Sequence, residues 1–518
     1  MLGIHRRGVP VVAAVVLLAW AVPALAAEVK EVTQYGITWT FDHPVQAGQF
    51  VTGDWWVIGP VTVTSITPTP GPATPDDKIE TPKNQWGDTS LRNDQRMRNG
   101  SMIVLKAGDK QGYDSRSDSY DPALSVQLPV KLEPNRSLIS TISNRTVPVA
   151  NFAEKIMWPS EKTCQNVLQT AAVLTVLAEA PPVDAFRPPY AGAAKPIYRA
   201  GQLKWNLLKK LSAPEVKDKA YTPFYQLRLP GDWEQMERYF QRPWLEHMCN
   251  WEQQQLNPSE NQPNYGREYG RLVSMASLML NLDVPQKRKE KLLIGLVQYG
   301  IDVFGVAKVG GQWNWGGGHT SGRKWPVVFA SLMLEAPEIR KLPETAVFHE
   351  DAQTYYGTGW FGQTALYWMV VHHGRNAHYE ENPPEKWDEW DKHSEGYRVS
   401  CNAQAWVGTA LAVRLMGAIA VWDHDAFFDY CDRWMAQDDP NAANRGSNKR
   451  PSAEGNTFDP FIDGMWHAYR AGAPEQKMAG NPRMFVWDGT GYGFKWRPNP
   501  KPDAKAVADH VAEVRKEH

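Results

Sequence analysis

Residues 312–326 read QWNWGGGHTSGRKWP and combine three tryptophans, three consecutive glycines, a histidine, an arginine and a lysine, just ahead of the apolar run VVFASLML. Each type brings its own chemistry. Glycines let backbone come close to a ligand. His319 can act as acid, base or hydrogen-bond donor near neutral pH. Arg323 and Lys324 supply positive charge, and helix N-terminal amides after them favour anions. Trp313 and Trp315 offer flat faces on which the C–H face of a sugar ring can stack. The spacing does not fit the phosphate-binding GxxxxGK[ST] loop. The bland reading of the same stretch is a flexible turn capped by Thr320 or Ser321.

Five further segments carry similar groups. NQPNYGREYGR (261–271) holds Tyr265, Arg267, Tyr269 and Arg271; arginines can grip a carboxylate with two hydrogen bonds, and a tyrosine beside such a charge can move a proton. FHEDAQTYYGTGWFGQTALYW (348–368) holds Glu350, Asp351, Tyr355 and Trp360. Adjacent side chains on a regular element point apart, so at most one of the two acids is expected to be catalytic. VHHGRNAHYEEN (371–382) contributes His372, His373 and His378, and KHSEGYRVSCNAQAW (392–406) contributes Glu395, Tyr397, Arg398 and Asn402. GNTFDPFIDGMWHAYR (455–470) adds Asp459 and Asp463. Helix caps and surface ion pairs are the structural alternative for all five. No HExxH, remote ligand set, Gly-x-Ser-x-Gly or dinucleotide fingerprint is present, so no metal and no cofactor is expected.

These segments need a scaffold. Short Val, Ile, Thr and aromatic runs punctuated by Pro, Gly, Asn and Asp (35–41, 49–59, 61–68, 101–108, 124–132 and 137–143) predict a sandwich-like antiparallel β-domain over 28–151. Helical spacing is read at 164–181, 266–285, 286–305, 324–337, 402–418 and 425–437. The string ASLML recurs 54 residues apart, at 276–280 and 330–334, which suggests tandem helical hairpins over 153–482 forming an α/α toroid, incomplete or closed. The expected fold is thus multidomain α+β, with a strand segment and charged tail at 483–518.

The first 26 residues have a basic start, an apolar stretch and an Ala-x-Ala end, which predicts a cleaved signal peptide and a periplasmic or extracellular protein with no membrane span. Formal charge is −1, with no basic excess for nucleic acid. Cys164, Cys249, Cys401 and Cys431 allow up to two disulfides or buried thiols. Twenty-three tryptophans, many beside Gly, Asn or Asp, suit a sugar-binding surface.

With its signal peptide, Trp-rich loops, helical hairpins and attached β-domain, the chain resembles secreted α/α-toroid carbohydrate-active enzymes, which include polysaccharide lyases and inverting glycoside hydrolases. The resemblance implies a polysaccharide or oligosaccharide substrate. A lyase would use His319, Tyr265, Tyr355 or Tyr397 for proton transfer, with Arg267, Arg323, Arg398, Asn402 and His372 on the substrate and Trp313, Trp315 and Trp360 under it. A hydrolase would pair Glu350 or Asp351 with Asp459 or Asp463. A non-catalytic glycan-binding protein would use the same tryptophans.

Overall fold

The computed structural model describes residues 27–80, 91–148, 166–214, 233–249, 252–262, 268–314, 318–369, 378–436, 459–474, 479–480, 482–488, 494–514 and 516. The expected leader, Cys164, Tyr265, Arg267, Trp315 and His372 lie outside these residues. The fold is mixed α/β. Among the described residues it has a curled, mainly antiparallel eight-stranded sheet and twelve α-helices.

The sheet runs in the order β6 (101–102), β8 (136–143), β10 (168–177), β3 (55–58), β2 (37–49), β4 (61–67) and β7 (130–132), with β1 (27–34) also paired to β2. The long strand β2 makes the curl. Its first half pairs with β4 at Thr38–Phe41, and its end pairs with β3 at Ala47–Gln49. Alternate residues point inward: Ile37, Trp39, Phe41, Val57, Val63 and Leu174 share one apolar interior. The Trp39 indole is fully buried there and donates to the Ser140 hydroxyl at 2.9 Å, which satisfies its one polar atom.

β10 corrects the sequence reading, which took 164–181 as a helix. LQTAAVLTVL is a strand, antiparallel to β8 and parallel to β3. Ala172, Leu174 and Val176 face the sheet interior, whereas Ala171 and Val173 face the helical core. A strand covered on both faces loses its polar alternation, so periodicity cannot tell it from a buried helix. The sheet therefore takes in residues beyond 151.

The other helices expected from periodicity are present. Among the described residues the full set is α1 (Trp233–Tyr239), α2 (Gln253–Leu256), α3 (Glu268–Leu280), α4 (Gln286–Lys308), α5 (Lys324–Met333), α6 (His349–Gln353), α7 (Glu389–Tyr397), α8 (Ala403–Leu415), α9 (Ile419–Trp422), α10 (Asp425–Met435), α11 (Pro460–Tyr469) and α12 (Ala504–Val514), of which α3, α4, α5, α8 and α10 are the expected ones. α3 and α8 lie close because small residues face each other: the Ser274 hydroxyl donates to the Ala405 carbonyl at 2.8 Å and lies 2.9 Å from that of Thr409. The predicted strand at 484–496 is a hairpin of β13 (483–487) and β14 (494–498). β11 (354–356) and β12 (365–367) form another.

Sheet and helices are also tied by charge. Arg187, in the segment after β10, gives its Nε to Asp54 at 2.6 Å and both terminal nitrogens to Asp302 of α4, at 2.9 and 2.6 Å. Cys249, Cys401 and Cys431 are free thiols. No described helix is long and apolar enough to cross a membrane.

Candidate active site

The turn 318–323 is the centre of the site, and two glycines give it its path. Gly322 has φ +88°, and a Cβ there would lie 2.7 Å from the Gly270 Cα of α3. Gly318 has φ +79°, with a Cβ 2.7 Å from that of Cys401. Both positions need a backbone that L side chains rarely adopt, in contact with a neighbouring helix start. Gly322→Ala is expected to cost about 2–3 kcal/mol, from left-handed strain plus overpacking. Chemical denaturation of the two proteins measures it, and an unchanged midpoint and slope would remove this account of the turn.

The turn then meets α6. The Gly322 amide donates to Glu350 Oε1 at 2.6 Å, while Oε2 is buried without a partner among the described residues. Burial, only partly offset by that amide, pushes the Glu350 carboxyl from 4.5 up to about 7. His349 lies between Thr320 Oγ1 at 3.0 Å on Nδ1 and Asn402 Oδ1 at 2.9 Å on Nε2. The Asn402 amide nitrogen donates to Tyr367 Oη at 2.6 Å, so its oxygen is the acceptor. His349 therefore carries a proton on Nε2. Asn402 is aimed there by a π-helical turn, Arg398–Asn402, inserted between α7 and α8; such wide turns re-aim side chains. The Trp406 indole donates to Ser321 at 2.9 Å from the α8 side. His319 is buried in the same turn. Residues 263–267, 315–317 and 370–377 adjoin these segments in the chain, outside the described set.

Three expected substrate contacts are committed elsewhere. Trp313 is fully buried, stacked on Phe348 at 5.3 Å, and donates to Glu246 at 3.1 Å, so it is not a sugar platform. Arg323 is fully buried, with its Nε 2.9 Å from Glu246 and its guanidinium 3.6 Å over the Tyr269 ring. Its charge is answered inside the protein. Arg398 grips Glu395 through Nε at 2.7 Å and Nη2 at 2.8 Å. The pattern is physical: an arginine in an apolar helix array must bring its own carboxylate, because a buried unpaired charge costs several kcal/mol.

The acids divide as adjacency requires. Glu350 faces the turn. Asp351 faces away, bound to Lys324 and accepting from the Trp422 indole at 3.0 Å. Asp459 caps α11 through the Phe461 amide at 2.9 Å and accepts from Arg271 at 2.8 Å, and Asp463 is buried. Burial raises the hydroxyls of Tyr269, Tyr355 and Tyr367 well above their ordinary value, and that of Tyr397 also rises. This reverses the expected ease of deprotonation, since the desolvation outweighs any nearby arginine. Tyr355 lies apart, edge-on to His378 at 5.5 Å, and Trp360 is half-buried in the turn after β11.

His349, Tyr367 and Glu246 were not singled out from sequence. His349 had a signal, as a histidine next to two carboxylates in FHED. Glu246, which also accepts from Tyr299 at 3.2 Å, had none; it is one acid in LEHMCN. Among the described residues no group of three or more His, Cys, Asp or Glu is placed to hold a metal ion. No protein-family model, curated protein or solved structure matches the chain.

Proposed function

We propose that the protein is an exported polysaccharide-degrading enzyme, a lyase that cleaves a uronic-acid-containing glycan by β-elimination. In this reading the helical hairpins form an α/α toroid and the curled sheet a sandwich-like layer beside it. The observation that carries the reading is the meeting of Glu350 and His349 with the 318–323 turn and Asn402 through direct hydrogen bonds.

Elimination needs three things. The substrate carboxylate must be neutralised so that its C5 proton becomes acidic. That proton must be removed, and the C4 oxygen must receive one as its bond to carbon breaks. Glu350, protonated up to about pH 7, can donate a hydrogen bond to the carboxylate from its unpartnered oxygen. His319 takes the C5 proton, because the buried tyrosines hold theirs too tightly to serve as base. The remaining role, proton donation to the leaving oxygen, falls to Tyr265, which the sequence reading names for proton transfer.

One observation favours a second reading, an inverting hydrolase: a carboxyl raised to about 7 also suits a general acid. The lyase is preferred because Asp459, one of the two acids that could pair with Glu350, is already held by Arg271, and the alternative acid Asp351 by Lys324. Incubation with alginate, pectin, ulvan and glycosaminoglycans separates the readings. A lyase releases C4–C5 unsaturated ends that absorb in the ultraviolet. Reducing ends without that absorbance would establish the hydrolase, and binding without cleavage a glycan-binding protein.

A further inference from the structure

Behind the candidate site, on the far side of Asp351, a cleft of about 540 Å³ lies between the start of α5, residues 340–346, the corner after α9 and the β13–β14 hairpin. Its volume falls within the ~300–1,000 Å³ of small-ligand sites. Its positive charge is unevenly answered. Lys324 is paired with Asp351, and Arg340 reaches the Ser331 hydroxyl at 2.8 Å. The Arg483 guanidinium lies 4.5 Å over the Trp496 ring and has no hydrogen bond or ion pair to any described residue. The Lys341 ammonium, exposed at the rim, has no described partner either.

The acids on the same wall do not cancel this. Asp351 belongs to Lys324. Asp423, held in the left-handed conformation at φ 60° that ends α9, lies within electrostatic reach of both Lys324 and Arg483, so its one charge is shared between two cations. Glu344 is exposed at the rim. An arginine fixed on an indole with its donors unused is a preorganised anion receptor: the ring orients the fork without hydrogen-bonding it. Trp496, half-buried and lining the cleft beside it, adds apolar surface for contact with a sugar.

We propose that this cleft is a second glycan-binding site, taking an acidic sugar residue whose carboxylate meets Arg483 and Lys341 against Trp496. It rests on the proposed function only for the choice of an acidic polymer. Such a site would hold a chain on the enzyme independently of the reacting residues.

Calorimetric titration of the intact protein with hexagalacturonate, its carboxyl-reduced neutral counterpart and inorganic sulfate tests this. The acidic oligosaccharide is expected to bind at least about tenfold more tightly than the neutral one, and the Arg483→Gln/Lys341→Gln variant to lose about tenfold in affinity for it. Equal affinity of variant and parent overturns the proposal, as does equal binding of the charged and neutral sugars. Sulfate bound as tightly as the hexamer overturns the sugar part and leaves a simple anion site. Should the double variant unfold, Lys341→Gln alone, at an exposed position, is expected to weaken binding severalfold; no change overturns the role of Lys341. The proposed catalysis fails separately, through absence of unsaturated product while the Arg483-dependent binding persists.

Discussion

Glu350→Ala is expected to lower kcat/KM about 10²- to 10³-fold, the usual cost of removing one donor aimed at developing charge. Glu350→Gln, in contrast, should keep most of the activity and lose its alkaline limb. The reason is the state of the carboxyl. Its pKa is pushed from 4.5 up to about 7, so the parent enzyme holds a neutral donor below that pH and a second anion above it. Parent activity should therefore fall about tenfold per pH unit above about 7, following a single ionisation, whereas glutamine stays neutral throughout. In the hydrolase reading glutamine has no proton to give and activity is lost at every pH. A pH–rate profile of both variants decides, and a Gln variant that still loses activity above neutrality would detach the limb from Glu350.

The same shift governs stability. The folded pKa lies above the unfolded one, so the native state binds the proton more tightly. Stability is undiminished below pH 4.5, falls as pH rises between 4.5 and about 7, and is lower by about 3 kcal/mol above that, at ~1.4 kcal/mol per pKa unit. The Gln variant should lack this slope and be the more stable protein at pH 8.

Arg187→Leu is the second large effect, expected to cost about 3–5 kcal/mol. Arg187 is buried between Asp54 and Asp302, with contacts of 2.6 Å to each. Removing it leaves two carboxylates facing each other away from water, where both cannot stay ionised. Burial already raises the Asp302 carboxyl even with Arg187 beside it. The loss should accordingly be greater at pH 8 than at pH 4.5, where protonation relieves the pair. Urea unfolding at the two pH values measures it; a loss that is equal at both, or under about 1 kcal/mol, would show that the triad is solvated.

What the sequence disclosed depends on how far each residue's role is local. α3, α4, α5, α8 and α10 were legible because their apolar spacing is a property of contiguous residues. Most strands of the sheet were legible through their Val/Ile/Thr runs and turn residues. β10 was not, because its two apolar faces belong to two different neighbours. In the site, Glu350, His319 and Asn402 were found as reactive types on loops, but their meeting depends on Gly322 and the π-helical turn, which are contacts between segments about 30 to 80 residues apart. The roles of Trp313, Arg323 and Arg398 were misread for the converse reason: residue type cannot show that Glu246 or Glu395 already answers the charge.

β10 has a consequence for the integrity of the chain. One ten-residue strand is at once a central member of the sheet and a wall of the helical core. Cutting the chain on either side of it would leave Ala171 and Val173, or Ala172, Leu174 and Val176, open to water. The β-rich and helical parts therefore share a party wall: they are expected to melt in a single calorimetric transition, and neither is expected to fold when lent to another protein as a module.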